Sequence, residues 1–120
     1  MVESDSDEIT ATKTGAFTVT RYAAPELIIH NDGRVTTYSD TFSFAMLILE
    51  CITEAPPFFY IRNDAAVIHA RIAKEQTPAR PDGKAHVPDN LWDLMNRCWS
   101  SKPDQRPTME DVFLFFLERA

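Results

Sequence analysis

Residues 39–54 read SDTFSFAMLILECITE, and no other stretch constrains the fold as tightly. From Asp40 to Thr53 the apolar residues Phe42, Phe44, Ala45, Met46, Leu47, Ile48, Leu49, Cys51 and Ile52 occupy every face of a helix, so that helix requires protein around it. Ser39 or Asp40 is placed to cap its start, with Pro56 and Pro57 marking its end. The remaining segments should then be amphipathic covers for one central rod.

The pattern on either side supplies such covers. A short helix is expected from Ala24 or Pro25 to the turn signal HNDGR, with proline suited to a first helical position. A third spans Asp64 to Glu75 with Val67, Ile68 and Ile72 on one stripe, and TPARPDG breaks it. In the fourth, from about Asp89 to Trp99, Leu91, Trp92, Met95, Cys98 and Trp99 follow the spacing of one buried face. The fifth opens with Thr108 as cap and Asp111 three residues on, and turns Met109, Val112, Phe113, Phe116 and Leu117 inward. No repeat and no convincing strand interrupts this series. The expected fold class is all-α, about five helices around one buried helix.

Residues 1–16 are mostly Ser, Thr, Asp and Glu, too polar to offset their ordering entropy by burial, and predict a flexible acidic arm whose hydroxyls are open to phosphate. The formal net charge of -6 opposes nucleic-acid binding, which draws its affinity from Lys and Arg on phosphates. The N-terminus lacks a signal-peptide pattern, and no segment reaches a membrane-spanning length of apolar residues. An intracellular, cytoplasmic protein without membrane partners is expected. Cys51 and Cys98 sit in apolar patterns without metal-like spacing and read as buried free thiols; scattered His30, His69 and His86 give no metal site.

Glu26 is the one residue these patterns leave unexplained. It follows a proline and precedes the apolar run Leu27, Ile28, Ile29, where an ionised carboxylate needs a cation. Three blocks in fixed order bear on it: TRYAAPE at 20–26, SDTFSF at 39–44 and CWSSKPDQRP at 98–107. Together they resemble the second half of a protein kinase C-terminal lobe, from the APE motif of the activation segment to the last helix. The likeness divides the chain into the arm 1–16, an activation-segment remnant, and a partial C-lobe over 17–120.

In that family the APE glutamate pairs with an arginine before the last helix, which implies an ion pair between Glu26 and Arg106. A guanidinium suits the role because it offers two parallel hydrogen bonds to one carboxylate. The resemblance makes Thr18, Val19, Thr20, Arg21, Tyr22, Ala24 and Pro25 the activation-segment region beside the substrate residue that follows the acceptor. The family's aspartate at the head of the central helix, here Asp40, holds the catalytic loop; without that loop Asp40 is expected only to cap its own helix. Arg21 and Tyr22 are closest to serine/threonine kinases of the tyrosine-kinase-like group. Where those enzymes carry Gly-Thr, Thr18 and Val19 stand instead, so the threonine that reaches the catalytic aspartate is missing or shifted to Thr20.

Phosphoryl transfer in this family uses ATP and magnesium, a glycine-rich loop, a strand lysine, and the HRD and DFG motifs. None of these motifs occurs here: the glycines are Gly15, Gly33 and Gly83, each isolated. The resemblance implies a chain that has no catalytic residue or cofactor of its own and is inactive alone. It either belongs with the remainder of a kinase domain or, as a truncated pseudokinase, binds a protein partner or itself. Phe58, Phe59 and Tyr60 are the candidate docking surface, since the corresponding kinase region docks substrates and regulators and aromatic residues make good anchors.

Overall fold

The computed structural model describes residues 20–30, 35–83 and 86–119. The arm expected over 1–16 lies outside the described residues, as do Thr18 and Val19. Among the described residues the regular elements are helical: α1 (Pro25–His30), α2 (Thr37–Thr53), α3 (Asp64–Ile68), α4 (Asp89–Cys98) and α5 (Met109–Glu118). No helix among them is long and apolar enough to cross a membrane.

The rod α2 starts earlier than its sequence indicates. Thr36, not Ser39 or Asp40, is the cap: its hydroxyl accepts the Ser39 N–H at 3.1 Å, and the Ser39 hydroxyl accepts the Thr36 N–H at 2.8 Å. This reciprocal box satisfies two backbone donors at once, which a cap at Asp40 could not do while leaving Thr37 to Ser39 without helical bonds. Asp40 lies exposed in the first turn, where its charge favours the positive end of the helix dipole. At the other end Glu54 takes a left-handed conformation (φ 57°) and donates to the Glu50 carbonyl, so the helix stops before the prolines.

One side of α2 forms the centre of the core. Phe42, Ala45, Met46 and Leu49 are buried and pack with Val67, Leu94, Met95, Cys98, Trp99 and Val112. On its other side Phe44, Leu47 and Cys51 are exposed, Leu47 to 50%. The enclosure expected from an all-apolar helix is therefore half built among the described residues, and Cys51 is not the buried thiol its pattern indicated. Cys98 is buried, and desolvation pushes its thiol up to about 11.

The third element is shorter and wider than expected. Asn63 caps α3 by accepting from the Ala65 and Ala66 N–H groups, but after Ile68 the chain widens into a π turn, His69–Ala73, rather than continuing as α-helix to Glu75. Lys74 donates to the carbonyl of His69, five residues back, and Glu75 then turns left-handed (φ 51°). Val67 is buried, whereas Ile68 is exposed and Ile72 half-buried.

In α4, Leu94, Met95, Cys98 and Trp99 are buried and Leu91 and Trp92 pack against them, with the two tryptophan rings edge to face at 5.6 Å. A 3₁₀ turn, Pro103–Gln105, leads into Arg106. The capping box of α5 forms as its sequence indicates, with Thr108 and Asp111 exchanging bonds of 3.0 and 3.1 Å. Its burial differs from expectation. Val112 is buried and Phe115 partly so, while Met109, Phe113, Phe116 and Leu117 are exposed. A helix apolar on several faces does not reveal which one meets the core; here the register set by Thr108 turns Val112 toward α2.

Candidate functional site

The segment from Thr20 to Glu26 has too little side-chain volume to hold itself in place: Ala23 and Ala24 are small, and α1 is six residues long. Three arginines hold it instead: Arg71 and Arg106 reach in from distant parts of the sequence, and the segment's own Arg21 reaches out.

Arg106 meets Glu26 through two parallel hydrogen bonds, Nη1 to Oε2 and Nη2 to Oε1, both 2.8 Å. The Arg106 side chain is fully buried and that of Glu26 is 24% exposed. Two more of its five N–H groups are used: Nε donates to the Ser100 carbonyl at 2.9 Å and Nη1 to that of Tyr38 at 3.1 Å. The guanidinium carbon lies 4.9 Å from the centre of the Phe42 ring, adding a cation–π contact inside the core. One side chain thus links α1, the start of α2 and the turn after α4.

Arg71, which the sequence reading did not single out, comes from the π turn. Its Nη1 donates to the Thr20 carbonyl at 2.9 Å and its Nη2 to that of Ala23 at 2.6 Å, giving both buried backbone groups a charged donor. Its guanidinium lies 5.3 Å from the Phe42 ring and 5.9 Å from that of Phe58. Burial lowers its pKa to about 10, with repulsion from Arg106 in the same direction and Glu26 opposing. The sequence signal for this residue was a lone arginine between Ala70 and Ile72 in an apolar stripe.

Arg21 reaches the other way, to the loop between α2 and α3. Its Nη1 donates to the carbonyls of Pro57 (3.0 Å) and Phe58 (2.9 Å), its Nη2 to those of Ile61 (2.8 Å) and Arg62 (3.3 Å), and its Nε approaches Asp64 at 3.3 Å. Phe58, held in the left-handed region (φ 59°), is buried beneath this loop and is removed from the docking surface by its burial. Phe59 and Tyr60 remain exposed, 57% and 50%, with rings edge to face at 5.4 Å. The Tyr22 hydroxyl donates to Glu50 Oε1 at 2.7 Å; desolvation and that carboxylate push its pKa up to about 12.

The arrangement thus fixes a backbone segment. Among the described residues no cluster of His, Cys, Asp and Glu is set to hold a metal. Thr20 and Ala24 are buried within it, Pro25 is the first residue of α1, and Asp40 lies outside it.

Comparison with known proteins agrees with this architecture. A family model described as protein tyrosine and serine/threonine kinase matches residues 1–116. The human proto-oncogene tyrosine-protein kinase ROS is 37% identical over 92 residues, 77% of this chain but 4% of its own length. The dual specificity protein kinase shkB of Dictyostelium discoideum is 31% identical over 94 residues, covering 76% of this chain and 13% of that protein. In the tyrosine-protein kinase transforming protein ros of UR2 avian sarcoma virus the identity is 35% over 89 residues, 73% of this chain and 20% of that one. The chain spans at most a fifth of any of these three relatives. With its helices and its Glu26–Arg106 bridge on the same part of the domain, it belongs to the protein tyrosine and serine/threonine kinase family.

Proposed function

We propose that this chain is the acceptor-side part of an intracellular protein kinase domain, and that these 120 residues do not transfer phosphate by themselves. The observation that carries the reading is the fixation of residues 20–26 by Arg21, Arg71 and Arg106, which spends three buried cations on holding a backbone segment in shape. In this family such a segment receives the protein substrate. Without glycine-rich loop, HRD or DFG strings the 120 residues have nothing to seat magnesium-ATP or take the acceptor's proton. Calorimetric titration with magnesium-ATP is expected to show no saturable heat; saturable micromolar binding would overturn the proposal.

For the complete enzyme, which would use ATP and magnesium, Arg21 and Tyr22 favour a serine or threonine acceptor. The relatives are by name tyrosine and dual-specificity kinases. A chimaera carrying residues 20–119 in a complete kinase domain, assayed on matched peptides, should phosphorylate Ser and Thr; strict preference for Tyr would refute that assignment.

A second reading, a binding module of pseudokinase type, draws on the exposed apolar side. Phe44 and Leu47 on α2, and Phe113 and Leu117 on α5, are open to solvent, and each large side chain left wet forfeits about 1.5–3 kcal/mol. Either the remainder of a kinase domain or a separate protein would cover them. The chain alone should bind ANS and sediment in a concentration-dependent way. A tight monomer that melts cooperatively without ANS binding would count against any missing cover.

A further inference from the structure

We propose that the cleft beside Phe59 and Tyr60 is a docking site for a proline-rich segment of a partner protein, in extended polyproline conformation and flanked by a basic residue. Of the three aromatic rings in this loop only that of Phe58 is buried, to 1% exposure, beside the buried Pro57. Phe59 and Tyr60 instead form an exposed edge-to-face pair at the mouth of a cavity of about 290 Å³. Residues Pro78 to Asp82 form another part of its wall.

That wall shows what chemistry fits. Its residues Pro78, Ala79, Arg80 and Pro81 place two prolines three apart, and the Ala79 N–H donates to the Tyr60 hydroxyl oxygen at 3.0 Å. Arg80 fixes this strap from behind, bonded to the Val87 carbonyl and Asp89 and lying 5.8 Å from the Trp92 ring centre. The protein therefore already sets a proline-spaced segment of its own against the aromatic pair. The Tyr60 oxygen accepts from Ala79 and donates to no acceptor among the described residues, so its proton, facing solvent, is available to a ligand carbonyl. A polyproline helix presents such carbonyls unpaired, and its fixed φ angles keep the ordering cost low. An amphipathic helix, whose carbonyls are bonded internally except in its last turn, suits that donor less well. The Arg80 cation on the same wall is paired with Asp89, which leaves Asp82 and exposed Glu54, next to lining residues Thr53 and Ala55, to supply negative charge for a basic flank.

The test is an NMR titration of the full chain with an acetylated hexaproline peptide ending in arginine. A glycine-serine peptide of equal length and charge and an amphipathic helical peptide serve as competitors. The expected result is saturable perturbation of the Phe59 and Tyr60 ring signals and the Ala79 amide, with neither competitor matching it. Tyr60→Phe, which keeps the ring, should weaken binding about 3- to 10-fold, the loss of one hydrogen bond, and Phe59→Ala should abolish it. No perturbation at these rings at millimolar peptide, equal binding of either competitor, or full affinity in Tyr60→Phe would each overturn the proposal.

Discussion

Replacing Arg106 by methionine is expected to leave the isolated chain largely unfolded in dilute buffer. The substitution keeps most of the apolar stem but removes both bonds to Glu26 and those to the Ser100 and Tyr38 carbonyls. Removing one partner of a buried pair costs about 3–5 kcal/mol because the other charge stays behind unpaired. Domains of this kind are stable by only about 5–15 kcal/mol, and a chain with an uncovered apolar side should lie at the low end. Arg106→Lys should recover little, since an ammonium cannot supply the parallel pair or lie flat against Phe42. Glu26→Gln should be milder, as the amide oxygen still accepts one bond. Urea unfolding followed by far-UV circular dichroism would order the three variants; an Arg106→Met midpoint equal to that of the unaltered chain would refute the expectation.

Arg21→Met comes next in size, with a loss of about 2–4 kcal/mol, somewhat above the ~1.5–3 kcal/mol of a single charged hydrogen bond. Four carbonyls lose a donor, but part of the loop carrying them is exposed and water can replace some of those bonds. The effect should be local before it is global. Phe58 is held left-handed while its carbonyl serves both Arg21 and the Ile61 N–H, so releasing the clamp should free the loop from Pro57 to Arg62. Hydrogen exchange in that loop should accelerate well before exchange in the middle of α2. Uniform acceleration across the chain, or none, would show that Arg21 does not act as a clamp on this loop.

How far these features could be read from residues alone depended on the kind of partner each residue has. Glu26 announced its need for a cation because a carboxylate stood beside an apolar run, and Arg106 followed from the resemblance in the block that ends in Arg-Pro. The Thr108 box was legible because both members are side chains at fixed spacing. Arg21 and Arg71 instead bind backbone carbonyls 36 to 51 positions away, and every residue has a carbonyl, so composition carries no trace of the match. The cap of α2 was misplaced because TTYSD offers several hydroxyls and carboxylates in a row, and only the reciprocal bond between Thr36 and Ser39 decides among them. The buried face of α5 was ambiguous for a similar reason. Met109, Val112, Phe113, Phe116 and Leu117 surround much of the helix, and which of them meets α2 is set by packing rather than by periodicity.

The bridge between Glu26 and Arg106 joins the first turn of α1 to the turn before α5, and the account of how this part of a kinase lobe holds together rests on it. A double-mutant cycle built from Glu26→Gln, Arg106→Met and their combination, run in a stabilising osmolyte so that every variant has a folded baseline, measures that link directly. A direct buried pair predicts a coupling of about 2–3 kcal/mol, with the double variant scarcely less stable than Arg106→Met alone. Effects that simply add, within about 0.5 kcal/mol, would mean that the two side chains do not meet in the folded protein.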